Sequence, residues 1–195
     1  GRLLLLLVGS MLFIYFVTNP LLVYWCIRKN PYPLILHCLK KSAITAFFTR
    51  SSAANIPVNM ELCNKLGLDE DTYSISIPLG ATINMDGTAI YQGICAIFIA
   101  SCYGIHLTLS QMLTIVLTAT LASIGTAGVP GAGMVMLAMV LTSVGLPVDG
   151  IALVAGVDRI FDMGRTTVNI TGDAACTMVV SNLEAKKEAR KAKIK

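Results

Sequence analysis

Charged side chains are scarce in this sequence. Asp, Glu, Lys and Arg account for 13% of its 195 residues, whereas 55% are hydrophobic and the mean hydropathy is +0.72. Because soluble domains carry about 25% charged residues, this shortage excludes an ordinary soluble domain. It predicts instead a protein that crosses a lipid bilayer several times.

Metal-binding and catalytic signatures are missing as well. The six cysteines form no Cys-x-x-Cys pair and no zinc-ligand spacing, which indicates buried free thiols. The two histidines, His37 and His106, lie near segment ends and far in sequence from the polar stretch described below. Because no Ser/His or metal constellation supports an intramembrane hydrolase, we predict that the chain is not an enzyme.

The positive charge does not indicate nucleic-acid binding. The net charge is +4, but the cations stand at the ends of apolar segments, in residues 28–41 and 186–195. Basic residues beside membrane segments stay in the cytoplasm, so we expect the 28–41 loop and the C-terminus there. No signal peptide is visible before the first apolar run. We interpret the chain as the C-terminal part of a longer, multi-pass protein of the cell membrane.

One strongly polar stretch lies inside an apolar segment. Five polar residues follow one another there at spacings of 4, 3, 4 and 4, namely Asp158, Asp162, Arg165, Asn169 and Asp173. On a helix that turns about 100° per residue they share one face. Charges at membrane depth are costly and face a cavity, a partner or a permeant solute, so this stripe predicts a binding site. A buried ladder of ion pairs among the same side chains is the alternative.

Polar interruptions divide the apolar sequence into segments. We expect a transmembrane helix over 1–30, a re-entrant helical hairpin over 31–68 and an interrupted transmembrane helix over 69–104. A second re-entrant hairpin, which acts as a lid, should follow over 105–146. The last transmembrane helix is expected over 147–182, and a basic cytoplasmic tail over 183–195. Asn19-Pro20 should kink the first helix, because proline has no N–H. Each half of the remainder pairs a hairpin with a helix interrupted by polar residues, as in transporters built from repeats.

The interruptions carry polar and flexible residues. The first hairpin turns at Thr49-Arg50-Ser51-Ser52, where consecutive backbone amides can hold an anion. Asn84-Met85-Asp86-Gly87 interrupts the next helix and supplies oxygen ligands for a cation. The second hairpin turns within Ser123–Gly133, whose four glycines and one proline exclude regular helix. Alternatives without a binding role are a surface turn, a simple glycine kink and a static loop outside the membrane.

Four segments resemble the signature sequences of the glutamate/aspartate–sodium symporter family, in that family's order. They are RSSAAN at 50–55, NMDGT at 84–88, SIGTAGVPGAG at 123–133 and DMGRTTVNITGD at 162–173. The resemblance, strongest to prokaryotic aspartate transporters, implies an all-α membrane protein. Its transport domain would contain two re-entrant helical hairpins and two interrupted transmembrane helices in an inverted repeat, plus one preceding transmembrane helix. A homotrimer, assembled through a scaffold domain upstream of this chain, is implied too.

The chemistry of an amino acid suggests roles for three residues of the polar stretch. Asp162 can bind its ammonium group, Arg165 can bind a side-chain carboxylate in bidentate fashion, and Asn169 can donate to its α-carboxylate. The resemblance implies a larger substrate site, made of Arg50, Ser51, Ser52, Thr88, Val129, Gly133, Asp162, Arg165, Thr166 and Asn169.

Sodium prefers hard oxygen ligands, and Asp173 is the carboxylate that we expect to bind it. The resemblance implies three sodium sites. The first combines Asp173 with the backbone carbonyls of Gly80, Asn84 and Asn169, the second uses the carbonyls of Thr82, Ser123, Ile124 and Thr126, and the third involves Asn84 and Asp86.

These residues predict sodium-coupled symport of L-aspartate or L-glutamate by alternating access. Neutral amino-acid members of the family lack an arginine at the position of Arg165. Dicarboxylate members lack the acids at the positions of Asp162 and Asp173.

Other positions leave alternatives open. Ala53 and Asn55 resemble serine/threonine symporters, so a neutral amino acid or a C4-dicarboxylate is the alternative substrate within the family. Gln92, which stands where animal excitatory transporters have a glutamate, cannot carry a proton. Outside the family, the alternative is an ion channel lined by residues 158–173.

Overall fold

The structure, a computed structural model, describes the backbone of residues 1–194 and the side chains of residues 1–187. Every regular element in this part of the chain is a helix. The last helix continues through most of the basic tail. Residue Lys195 and the tail side chains from position 188 onward lie outside the described residues.

The chain begins with one long helical rod. It consists of α1, a π-helical segment and α2, which cover Arg2–Phe13, Ile14–Thr18 and Asn19–Ile27. The irregularity has its cause in Pro20, which has no N–H to offer the carbonyl of Phe16. That carbonyl instead accepts a hydrogen bond from the Tyr32 hydroxyl at 3.1 Å. The rod has 26 residues, and its most apolar 18-residue segment has a mean hydropathy of 2.0, so it is long and apolar enough to cross a bilayer.

Two helices joined by a sharp turn follow. The first, α3 (Tyr32–Thr49), ends where Arg50 adopts a left-handed conformation with φ of 52°. The Ser51 hydroxyl then accepts a hydrogen bond from the Ala54 amide at 3.1 Å and caps the start of α4 (Ser52–Lys65). The two helices pack against each other, so this turn forms the tip of a hairpin.

The next long apolar stretch is broken in its middle. It contains α5 (Glu70–Ile83) and α6 (Asp86–Cys102), separated by Asn84-Met85. The break lies where the sequence predicts an interrupted helix. The whole stretch is 33 residues long, and its most apolar 18-residue segment has a mean hydropathy of 1.2. Within the described chain it is therefore the second stretch that is long and apolar enough to span a membrane.

A second helix pair has a longer tip. Helices α7 (Leu109–Ser123) and α8 (Ala132–Ser143) are short, apolar and packed together. Residues 124–131 between them are irregular, with positive φ values of 86° at Gly125 and 81° at Gly131. Residues with a Cβ rarely adopt such angles, so the glycines determine the shape of this tip.

The last helix, α9 (Ala152–Ile194), follows a short 3₁₀ turn at Val148–Ile151 and runs without interruption. Here the structure differs from the expectation of two interrupted helices, because only the α5–α6 stretch is broken within the described residues. The polar stripe needs no break, since its spacing already places it on one side of a continuous helix. Helix α9 packs against α3, α4, α5 and α6, which buries that side.

Much of the outer surface is apolar. Large side chains such as Leu5, Phe48, Leu109 and Val135 are more than 70% exposed. A soluble monomer rarely exposes so much apolar area, whereas lipid favours it. The interior combines apolar core residues with buried charged and polar side chains, among them Asp158, Asp162 and Arg165.

Candidate functional site

The polar side of α9 faces a small covered cleft. The tips of both helix pairs and the α5–α6 break meet it there. Nine of the ten residues predicted for a substrate site line this cleft, namely Arg50, Ser52, Thr88, Val129, Gly133, Asp162, Arg165, Thr166 and Asn169. The free space in the cleft is about 20 Å³, enough for about one water molecule, so the polar side chains largely fill it.

Arg165 lies at the floor of the cleft with its side chain 2% exposed. Its Nε donates to Oδ1 of Asp162 at 3.0 Å, and its Nη2 lies 3.0 Å from the same oxygen. Its Nη1 lies 3.2 Å from Oδ1 of Asp158. The face of the guanidinium lies over the Tyr91 ring, with Cζ 4.2 Å from the ring centroid. Two carboxylates and an aromatic ring thus fix the orientation of this cation.

Two glycines allow the backbone to approach Arg165 closely. A Cβ at Gly133 would lie 2.8 Å from the guanidinium Cζ, and a Cβ at Gly87 would lie 2.9 Å from the Arg165 Cα. Neither position has room for a side chain. The start of α8 therefore packs onto the guanidinium, and the start of α6 packs onto the α9 backbone beneath it.

Asn169 joins α9 to the start of α6. Its Oδ1 accepts a hydrogen bond from the Gly87 amide at 2.8 Å, and its Nδ2 donates to Thr88 Oγ1 at 3.2 Å. The same Nδ2 contacts the sulfur of Met85 at 3.2 Å. The amide is therefore oriented by the broken helix, with its donor end at the wall of the cleft.

The residues predicted for the first sodium site lie together one turn below. Oδ1 of Asp173 accepts a hydrogen bond from Nδ2 of Asn84 at 2.9 Å, and the same Nδ2 lies 3.2 Å from the carbonyl oxygen of Asn169. A Cβ at Gly80 would lie 2.7 Å from Oδ1 of Asp173. The other carboxylate oxygen, Oδ2, is buried without a hydrogen-bond partner among the described residues. A buried carboxylate without a partner is costly, and a hard cation would satisfy it.

The residues predicted for a second sodium site meet between α5 and the tip of the second helix pair. The Gly125 amide donates to the Thr82 carbonyl at 2.8 Å, and the Thr126 amide donates to the Ser123 carbonyl at 3.1 Å. Ser123 and Thr126 are buried, while Thr82 and Ile124 are exposed. Asp86, predicted for a third site, is exposed at the start of α6.

The tip of the second helix pair covers the cleft by docking on the first tip. The Gly128 carbonyl accepts hydrogen bonds from the Ser51 hydroxyl at 2.7 Å and the Ala53 amide at 3.1 Å. The Gly131 amide also donates to Oδ2 of Asp162 at 3.1 Å. Ser51, the one predicted substrate residue that does not line the cleft, thus contacts this tip instead.

The sequence analysis does not predict every residue of the cleft. Met85, Ala127, Gly128 and Ala132 line the cleft without having been predicted, and so does Thr126, which had been predicted for sodium alone. Tyr91 and Asp158 contact Arg165 without lining the cleft themselves. The helical spacing indicates Asp158, which stands on the polar stripe. No sequence signal identifies Tyr91, because the residue that it contacts, Arg165, lies on a different helix and 74 positions later in the chain.

A comparison with known protein families supports the same interpretation. The family described as "Sodium:dicarboxylate symporter family" matches residues 1–183. The match includes both helix pairs, the broken helix and the polar face of α9. It indicates a membrane-integral symporter that couples its solute to sodium. The chain belongs to the sodium:dicarboxylate symporter family.

Proposed function

We propose that this chain holds the substrate site of a sodium-coupled symporter for an acidic amino acid, L-aspartate or L-glutamate. The observation that carries the proposal is the placement of Asp162, Arg165 and Asn169 along one buried face of α9, inside a covered cleft. A carboxylate, a guanidinium and an amide donor are the three groups that the ammonium, side-chain carboxylate and α-carboxylate of the substrate require.

Substrate binding would replace the ion pair between Arg165 and Asp162 by two ion pairs, one from each of these residues to the substrate. Arg165 and Asp162 neutralise each other in the structure. An incoming carboxylate takes the place of Asp162 on the guanidinium, and the released Asp162 carboxylate takes the substrate ammonium. Both protein charges then keep a partner. A neutral amino acid would draw Asp162 away and leave Arg165 with Asp158 alone, which is costly in a buried site.

The charge of the cleft accounts for the coupling to sodium. Arg50 and Arg165 carry two positive charges, and Asp158 and Asp162 carry two negative charges, so the cluster is neutral as a whole. An acidic amino acid adds a net negative charge. In a site of low dielectric that charge adds to the negative charge of Asp173, two turns away on the same helix, so more than one bound cation would be needed to neutralise both.

Sodium would bind beside the substrate as a co-transported ion. We assign one ion to Asp173 with the carbonyls of Gly80, Asn84 and Asn169. The buried Asp173 oxygen without a partner supports this assignment. Another ion would bind where Thr82 meets the second tip, so that closure of the tip and ion binding depend on each other. A third would involve Asn84 and Asp86.

A C4-dicarboxylate is the second candidate substrate. It has no ammonium group to neutralise Asp162. However, Nη1 of Arg50 lies 3.6 Å from Oδ2 of Asp162 and can serve as its partner when Arg165 binds a substrate carboxylate. An amino acid is favoured because Arg50 is partly exposed, and a solvent-screened partner compensates a buried carboxylate less well.

We further propose how the site works in the membrane. The docked second tip would open as a lid during alternating access. The complete protein would be a homotrimer of the cell membrane. Its C-terminus would lie in the cytoplasm, because the end of the chain, residues 186–195, is rich in basic residues.

Uptake by the complete protein in proteoliposomes tests this function. An inward sodium gradient should drive saturable uptake of labelled L-aspartate, with unlabelled L-glutamate competing and with L-serine and succinate ineffective. Uptake driven equally by potassium would contradict the sodium coupling. Sodium current without saturable, stereospecific uptake would favour a channel instead.

A further inference from the structure

Asn19 is a buried polar residue that none of the roles above explains. It lies in the first spanning rod, eight residues before its end at Ile27, and is 8% exposed. A Cβ built on Gly172 of α9 would lie 3.7 Å from the Asn19 Nδ2 and 2.6 Å from the Asn84 Nδ2. Two side-chain amides from different helices thus share the small space that Gly172 leaves open, directly beside Asp173.

The π-helical segment turns Asn19 toward α9. The Asn19 amide closes this segment by donating to the Ile14 carbonyl five residues earlier. An added residue in one turn rotates everything after it by about 100° relative to a regular helix. The Tyr15 hydroxyl donates to the Ile35 carbonyl at 2.9 Å, which anchors the segment to α3. The π-helical segment and its contact with α3 therefore determine the position of Asn19.

The Asn84 side-chain amide would need another hydrogen-bond acceptor nearby when sodium binds. Its Nδ2 donates to the Asn169 carbonyl and to Oδ1 of Asp173, and both oxygens are assigned to sodium in the proposed function. A cation bound by these oxygens repels N–H donors. When the ion binds, the Asn84 amide must therefore turn to a different acceptor, because an unpaired buried N–H is costly.

We propose that Asn19 is a positioning residue for sodium, and that its side-chain carbonyl accepts the Asn84 amide when the ion takes Asp173 and the Asn169 carbonyl. An asparagine offers both a donor and an acceptor, so rotation of the Asn19 amide is enough to present its oxygen. Asn19 thus acts on the ion through Asn84. This inference rests on the proposed function, because it assumes a sodium ion at Asp173.

The test measures sodium binding without transport. The complete protein, purified in detergent, is titrated with sodium chloride against a choline chloride background, and the midpoint of its thermal stabilisation is recorded. Asn19→Leu has similar volume but no acceptor, and should raise the sodium midpoint about fivefold to tenfold. Asn19→Asp keeps the shape with a stronger acceptor, and should leave the midpoint unchanged or lower it. Ser10→Ala, in the same rod, is the matched control and should match the wild type.

A sodium midpoint that rises in Asn19→Leu but not in Asn19→Asp distinguishes this role from a packing defect, because the two substituted side chains are similar in size. The melting temperature without sodium, and the L-aspartate affinity at saturating sodium, should change little in either variant. A wild-type midpoint in Asn19→Leu, or a midpoint in Asn19→Asp raised as much as in Asn19→Leu, would overturn the inference. If Asn19→Leu does not fold, a raised midpoint in Asn19→Asp alone overturns it. Absence of sodium stabilisation in the wild type would instead refute the proposed function.

Discussion

Nε and Nη2 of Arg165 both lie 3.0 Å from one carboxylate oxygen of Asp162, three residues earlier on the same buried face of α9. Both side chains line the cleft, so the groups that neutralise each other are also the groups that a zwitterion with an extra carboxylate would engage. A buried pair of this kind contributes little net stability. Its placement is better explained by exchange of partners with a ligand.

Removal of the Arg165 guanidinium should abolish binding of acidic substrates. Arg165→Ala leaves the substrate carboxylate without a partner, at a cost of about 3–5 kcal/mol, which is about a hundredfold or more in L-aspartate affinity. Calorimetric titration of the complete protein at saturating sodium measures it. Arg159→Ala, which removes an exposed arginine from the same helix, is the control. Unchanged aspartate affinity in Arg165→Ala would refute the assignment.

A methyl group at Gly133 should displace the guanidinium without removing any charge. In Gly133→Ala the added carbon would lie 2.8 Å from Cζ of Arg165. Overpacking of this kind costs about 1–3 kcal/mol, so the L-aspartate affinity should fall about tenfold or more. Gly156→Ala is the matched control, because no atom of the described residues lies within 4 Å of the added carbon there. Equal affinities in the two variants would show that Arg165 does not bind substrate.

Neutralisation of Asp173 should raise the sodium concentration needed for substrate binding without changing the substrate preference. Asp173→Asn keeps the size of the side chain but removes the charge that balances the ion. We expect this variant to need at least tenfold more sodium for the same aspartate affinity, while its preference among amino acids stays the same. Asp149→Asn, at an exposed position, serves as control. Superimposable sodium curves for wild type and Asp173→Asn would make Asp173 a structural carboxylate.

The tip at residues 124–131 should respond to both ligands. A fluorophore on Ala127→Cys, with the exposed Cys102 and Cys176 replaced, reports its position. Sodium plus L-aspartate should favour the docked arrangement seen at Gly128 and reduce access of a soluble quencher. A label on Ile105→Cys, in the connection between α6 and α7, should not respond. An unchanged Ala127 signal would show that this tip is not a gate.

A local pattern predicts the polar face of α9, whereas most of the other cleft residues are implied by the resemblance to the symporter family. The 4-3-4-4 spacing places Asp162, Arg165 and Asn169 on one face, and the helix needs no tertiary information to do this. The Asn84-Met85 break is visible for the same reason, since Asn and Gly disfavour helix locally.

The remaining contacts could not be predicted, because they depend on how distant helices pack. Tyr91 stacks on Arg165 across α6 and α9, and its sequence position resembles that of any core aromatic. Asn19 reaches α9 only because a π-helical segment rotates it, and no pattern in the sequence specifies the helix that it faces. The α9 helix is continuous although interruption was expected, because polar residues on a packed face do not require the backbone to open.

Reciprocal linkage between sodium and L-aspartate tests the central claim most directly. L-aspartate is titrated into the complete protein at a series of sodium concentrations, and sodium is titrated with and without saturating L-aspartate. The account predicts that sodium increases the aspartate affinity and that aspartate increases the sodium affinity by the same factor, as linkage requires. An aspartate affinity that stays constant across the sodium series would contradict it.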